Sequence, residues 1–189
     1  MIGSLINCAA ILVGAGLGLL LRGGISQRFR DTVMQGVGLC VVLIGLRGAL
    51  ATADVMIPIL CLVVGGLAGE AINIERRLQA LGARAQRLFT RGRGEDNRFA
   101  QGFVSASLMF CVGAMAIVGA MDSGLRGDHT TLIAKSGLDG ISSVIFASTM
   151  GAGVALSGAA VLLYQGAIAL LAQYLAPYLS ADVIREMSA

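Results

Sequence analysis

Three ionisable residues stand inside otherwise apolar stretches, and any chemistry this chain performs would begin with them: Glu70, Lys135 and Asp139. A charge inside lipid is costly, so its presence is by default a functional hypothesis. Lys135 is the only lysine in a chain that otherwise uses arginine, and it precedes Asp139 by four residues. On a helix that spacing puts both on one face, where they can pair. Ser136, Ser142, Ser143, Ser148 and Thr149 add hydroxyls around them, while Gly137, Gly140 and Gly151 loosen the helix. Hydroxyls and freed carbonyls beside a carboxylate can coordinate a cation or hold a polar solute. Two readings of this face stand open. One is the lining of a substrate or ion path; the other is a structural ion pair near the outer interface, with Lys135 reaching outward. Glu70 and Asn73 form a second polar pair, three residues apart, behind Gly65-Gly66-Leu67-Ala68-Gly69, a small-residue strip of the GxxxG kind. Glu70 would either pair with Arg76 or Arg77, or serve as a proton or cation site.

Other chemistries find no residues to carry them. His129 is the only histidine, placed in an outer loop beside Asp122 and Asp128. No Ser-His-Asp pairing, zinc-ligand spacing or phosphate-binding loop is readable, so no enzyme and no cofactor is expected. Cys8, Cys40, Cys61 and Cys111 all lie in apolar runs without a CxxC pair, and read as buried small hydrophobes rather than disulfides or a metal site.

The elements that must position these residues follow from composition. Hydrophobic residues make up 56% of the chain and charged ones 13%, roughly half the usual charged share of a soluble domain. The 27 glycines come with only two prolines. In long apolar segments glycine lets helix backbones approach where lipid removes the hydrophobic drive. The expectation is an all-α polytopic transmembrane helix bundle of about six spans. A span needs about 20 apolar residues. The candidates are Ile2 to Leu21, Thr32 to Leu46 (or Leu50, with Arg47 snorkelling), Val55 to Ile74, Phe99 to Met121, and a double-length region split at Gly151-Ala152-Gly153 into 131–150 and 154–176. Pro177 would end the last. The N-terminus has no basic n-region, so the first span reads as retained rather than as a signal peptide. The chain thus divides into a first transmembrane block (1–74), a basic amphipathic segment (75–98), a second transmembrane block (99–178) and the start of a further element (179–189).

Ten of the fourteen basic residues fall between the first two spans and between the third and fourth. The positive-inside rule makes that side cytoplasmic and leaves the N-terminus outside. Within the basic segment, Leu78, Leu81, Ala85, Leu88 and Phe89 recur at helical spacing, with Arg76, Arg77, Arg84, Arg87 and Arg91 on the other face. That pattern suits a helix on the anionic inner leaflet, or a solvated loop that only fixes topology. No aromatic platform accompanies the arginines, so no nucleic-acid partner is expected.

Ile25 to Met34 and Leu179 to Ser188 each begin with an aliphatic residue and a serine placed to cap a helix, then a short amphipathic turn. The first copy leads into an apolar helix, whereas the second ends at Ala189. The pair reads as an inverted repeat with its final helix missing, an architecture common among transporters. The alternative is chance similarity between two apolar hairpins.

The stretch Phe110-Cys111-Val112-Gly113-Ala114-Met115-Ala116-Ile117-Val118-Gly119 resembles the signature of the DUF554 family of bacterial membrane proteins. So do Gly127-Asp128-His129, Lys135-Ser136-Gly137-Leu138-Asp139-Gly140, Ile145-Phe146-Ala147-Ser148-Thr149 and Leu163-Tyr164-Gln165-Gly166. The resemblance implies a multi-pass protein of the bacterial inner membrane whose members continue past the Arg-Glu-Met segment, and it supplies no functional residues. Two functions remain. The first is a transporter or channel for a small solute or monovalent cation, its path lined by the Lys135/Asp139 helix. The second is a non-transporting structural or regulatory protein acting through a partner or the inner leaflet. Dense small-residue faces favour a homo-oligomer.

Overall fold

Apolar runs broken only by glycine satisfy their backbone groups internally by coiling, and each run forms helix here. The computed structural model describes residues 2–21, 23, 25–50, 56–73 and 96–176. Among them are seven helices and no strand: α1 (Ile2–Leu20), α2 (Gln27–Leu50), α3 (Met56–Ile72), α4 (Asp96–Cys111), α5 (Ala114–Leu125), α6 (Thr130–Met150) and α7 (Gly153–Leu175). Residues 75–95 of the basic segment, with Arg76, Arg77, Arg84, Arg87 and Arg91, lie outside the described residues, as do Pro177 and the repeat element 179–189.

Helix α1 buries one stripe, Gly3, Ser4, Asn7, Ile11, Gly14, Ala15 and Gly18, at the three-and-four spacing of a single helical face. That stripe lies along α6. A Cβ at Gly14 would collide with Ser143 Oγ and the Gly140 carbonyl oxygen, and one at Gly18 with the Val144 carbonyl oxygen. The two backbones approach so closely that only hydrogen fits between them. Ser143 Oγ then donates across the seam to the Ile11 carbonyl at 3.2 Å. Helix α7 closes the bundle against α1, α4 and α5. Ile11, Ala15, Ala106, Phe110, Ala147, Val154 and Val161 form the apolar centre. The strip at Gly65 and Gly66 behaves differently: a Cβ there meets nothing.

Among the described residues, three helices are long and apolar enough to cross a membrane, and a fourth span is added if α4 and α5 count as one broken span. Helix α6, 21 residues long, has the length but not the apolarity. It is tolerated because Lys135, Ser136, Asp139, Ser142, Ser143 and Ser148 are all buried in protein.

Two expectations need correction. Phe99 to Met121 is not one continuous helix: it breaks at Val112-Gly113 with a bend of 62°, the shape of a broken span or a re-entrant loop. Gly113 is extended (φ 169°, ψ 148°), so the helical ladder lapses there. Each arm is separately held by α7, where Gly153 abuts the Phe99 carbonyl and Gly124 abuts the Ala169 carbonyl. One straight helix could not make both contacts. The loop expected over 122–130 is also shorter, because α5 runs on to Leu125 and Arg126 N–H closes its last turn on the Asp122 carbonyl. The division at 151–153 is as expected. Gly151 takes φ 86°, which side chains resist, and separates α6 from α7.

Candidate functional site: a buried ion pair facing a broken helix

Lys135 and Asp139 lie one turn apart on the inward face of α6, 7% and 6% exposed. Lys135 Nζ donates to Asp139 Oδ1 at 2.8 Å and to Oδ2 at 2.6 Å, so one ammonium holds both carboxylate oxygens. Lys135 therefore does not reach outward. Asn7 on α1 adds a third hydrogen bond, Nδ2 to Asp139 Oδ2 at 3.0 Å, and the same amide nitrogen lies 3.4 Å from Gln165 Oε1 on α7. Two helices thus donate to one carboxylate, and α7 joins through the Asn7 amide. Asn7 and Gln165 are completely buried. Among the described residues, Asn7 Oδ1, Gln165 Nε2 and the nearby Ser4 Oγ have no hydrogen-bond partner.

The ion pair borders a cleft of about 470 Å³. Helix α2 supplies Val37, Val41 and Ile44 to one wall, the α4–α5 break supplies Val112, Gly113 and Ala114, and α6 supplies Thr131, Lys135, Asp139 and Ser142. The end of one half-helix and the start of the next therefore line the same space as the charges. Non-helical backbone at membrane depth is tolerated where it lines a cavity. Half-helix ends bring partial charges into that cavity, negative at the carbonyl end and positive at the N–H end.

Of the hydroxyls expected beside the pair, only Ser142 lines this cleft. Ser136 donates to the Ile133 carbonyl at 2.6 Å, Ser143 to Gly140 at 2.7 Å, Ser148 to Ile145 at 2.7 Å and Thr149 to Phe146 at 2.9 Å. The Ser136, Ser148 and Thr149 hydrogens stay on their own helix, while the single Ser143 hydrogen is shared between the Gly140 carbonyl and the Ile11 carbonyl on α1. Glu70 and Asn73 sit exposed at the end of α3, with Asn73 N–H on the Glu70 carbonyl, and they are not brought to the pair. Asn7, Gln165 and Thr131 were not singled out as site residues. A lone amide within an apolar run was the available signal for the first two. At the turn between α5 and α6, His129 Nδ1 lies 2.9 Å from Ser123 Oγ, a pairing that sequence spacing does not reveal. Thr130 donates hydrogen bonds from its side chain and its backbone N–H to Asp128, holding that carboxyl below the usual carboxylate range.

Fold and site together define a helical membrane protein whose buried ion pair faces a discontinuous helix. The chain belongs to the DUF554 family, described as a protein of unknown function, which matches residues 2–189. YdfK of Bacillus subtilis (strain 168), an uncharacterized membrane protein, is 32% identical across 100% of this chain and 80% of its own length. YqgA of Escherichia coli (strain K12), an uncharacterized protein, is 32% identical across 100% of this chain and 81% of its own. No solved structure matches the chain.

Proposed function

We propose that this protein is a transporter or channel for a small solute or ion, with its path running through the cleft beside Lys135 and Asp139. One observation carries the reading: a buried, doubly hydrogen-bonded ion pair opens onto the break between two half-helices. Pure scaffolding explains neither feature well. Replacing a buried pair with apolar residues of similar size is often neutral or stabilising, so such a pair is weak evidence of a stabilising role. A helix interruption leaves backbone groups that a continuous helix would have satisfied. Discontinuous helices around a central polar site are a recurring transporter arrangement.

The fuller topology belongs to the same proposal. About six spans, an external N-terminus and residence in the bacterial inner membrane are part of it, supported by the apolar runs and by arginine placement. Small-residue faces favour a homo-oligomer. The test is flux in proteoliposomes, comparing wild type with Asp139→Asn. The expected result is loss of flux with an unchanged helical spectrum. Normal flux through Asp139→Asn would remove the ion pair from the path. Absence of flux in wild type for every solute and ion tried would favour a regulatory protein acting through a partner.

A further inference from the structure

Resting on the transport reading, we infer that the cleft beside Lys135 and Asp139 takes a small zwitterion with an apolar side chain, the chemistry of a neutral amino acid such as leucine. Charge balance is the first ground. A single ammonium occupies both oxygens of Asp139, so the pair is neutral as it stands. An inorganic cation or anion entering alone would leave one charge uncompensated among buried groups, which is costly. A molecule carrying one ammonium and one carboxylate avoids this. Its carboxylate meets Lys135 and its ammonium meets Asp139, replacing one internal pair by two without changing the net charge.

The broken helix supplies the second ground. Helix α4 ends at Cys111 and α5 begins at Ala114, with Val112, Gly113 and Ala114 lining the cleft. The N–H of Ala116 reaches the Gly113 carbonyl at 3.0 Å, leaving the N–H groups of Ala114 and Met115 ahead of it at the positive end of α5. The carbonyls at the end of α4 present the opposite partial charge two residues away. Both signs thus occur twice around one cavity, as formal charges on α6 and as helix ends opposite.

Size and walls give the third ground. About 470 Å³ lies within the range of small-molecule sites, and Val37, Val41, Ile44, Val118 and Leu138 make much of the wall apolar. Such walls suit a hydrocarbon side chain and give nothing to a hydrated ion.

The experiment is equilibrium binding of radiolabelled L-leucine to the full chain in nanodiscs, with flux measured in parallel. Saturable binding is expected, displaced by valine and methionine. L-leucinamide, which lacks the carboxylate, and 4-methylvalerate, which lacks the ammonium, should compete at least tenfold more weakly. Val41→Trp fills the cleft from α2, where Val41 is 43% exposed, and should lower leucine affinity at least tenfold with an unchanged unfolding curve. Equal competition by either single-charge analogue overturns the inference, as does full leucine affinity in Val41→Trp. An Asp139-dependent cation current without leucine binding overturns it too, while leaving the transport reading intact. Leucine binding without flux supports the zwitterion site and refutes transport.

Discussion

Removing the charges at positions 135 and 139 one at a time and then together separates what the pair does for the fold from what it does in the path. In Asp139→Leu the Lys135 ammonium, 7% exposed, loses the carboxylate that accepts both of its hydrogen bonds. Breaking a buried pair by deleting one partner costs about 3–5 kcal/mol, because the survivor stays desolvated. In Lys135→Met the carboxylate keeps the Asn7 amide at 3.0 Å, so the cost falls toward the low end of that range. In the double variant no charge remains, and Asn7 Nδ2 still has Gln165 Oε1 at 3.4 Å. Its expected cost is smaller than that of either single variant, because paired removal is often neutral or stabilising. The assay is reversible unfolding in mixed micelles, titrating a denaturing detergent and reading helicity. A double variant as unstable as the two single losses added together would refute the reasoning, since the residues would then act independently.

Gly14→Ala should destabilise by about 1–3 kcal/mol as α1 is pushed off α6. Gly16→Ala, whose added methyl meets nothing, should be neutral or gain up to about 1 kcal/mol from helix propensity; the same unfolding assay compares them. In a background lacking the four native cysteines, Ser142→Cys should react with a small polar thiol reagent far faster than Ser148→Cys, because only Ser142 lines the cleft. Asp128 titrates below its ordinary value of 3.8 in the folded chain. It therefore contributes stability above that pH and loses it as pH falls through the depressed value. Asp128→Asn should flatten the acid limb of an unfolding-midpoint profile taken from pH 5 to 2.5.

What could be read from sequence depended on whether the signal was local. The split between α6 and α7 was readable because Gly151-Ala152-Gly153 interrupts a run twice a span's length. The pairing of Lys135 with Asp139 was readable from their four-residue spacing alone. The early start of α2 follows from Ser26, whose Oγ accepts the Phe29 N–H at 3.4 Å, before the apolar run begins at residue 32. By contrast, the break at Val112-Gly113 carries no local mark, since one glycine among 27 in an uncharged stretch reads as more packing. It is set by α7 holding two arms at once. Asn7 and Gln165 stood apart by 158 positions, and only the fold brings the Asn7 amide onto Asp139 and against Gln165. Ser136, Ser148 and Thr149 stay off the cleft for a different reason: a hydroxyl in an apolar helix readily bonds to its own backbone.

The most direct test of the path is flux through the Lys135→Met/Asp139→Leu double variant, reconstituted beside wild type at equal protein density. The account predicts a folded bundle with native helicity and no flux. A folded double variant that still carries wild-type flux would contradict it, and would leave the pair as a dispensable structural contact.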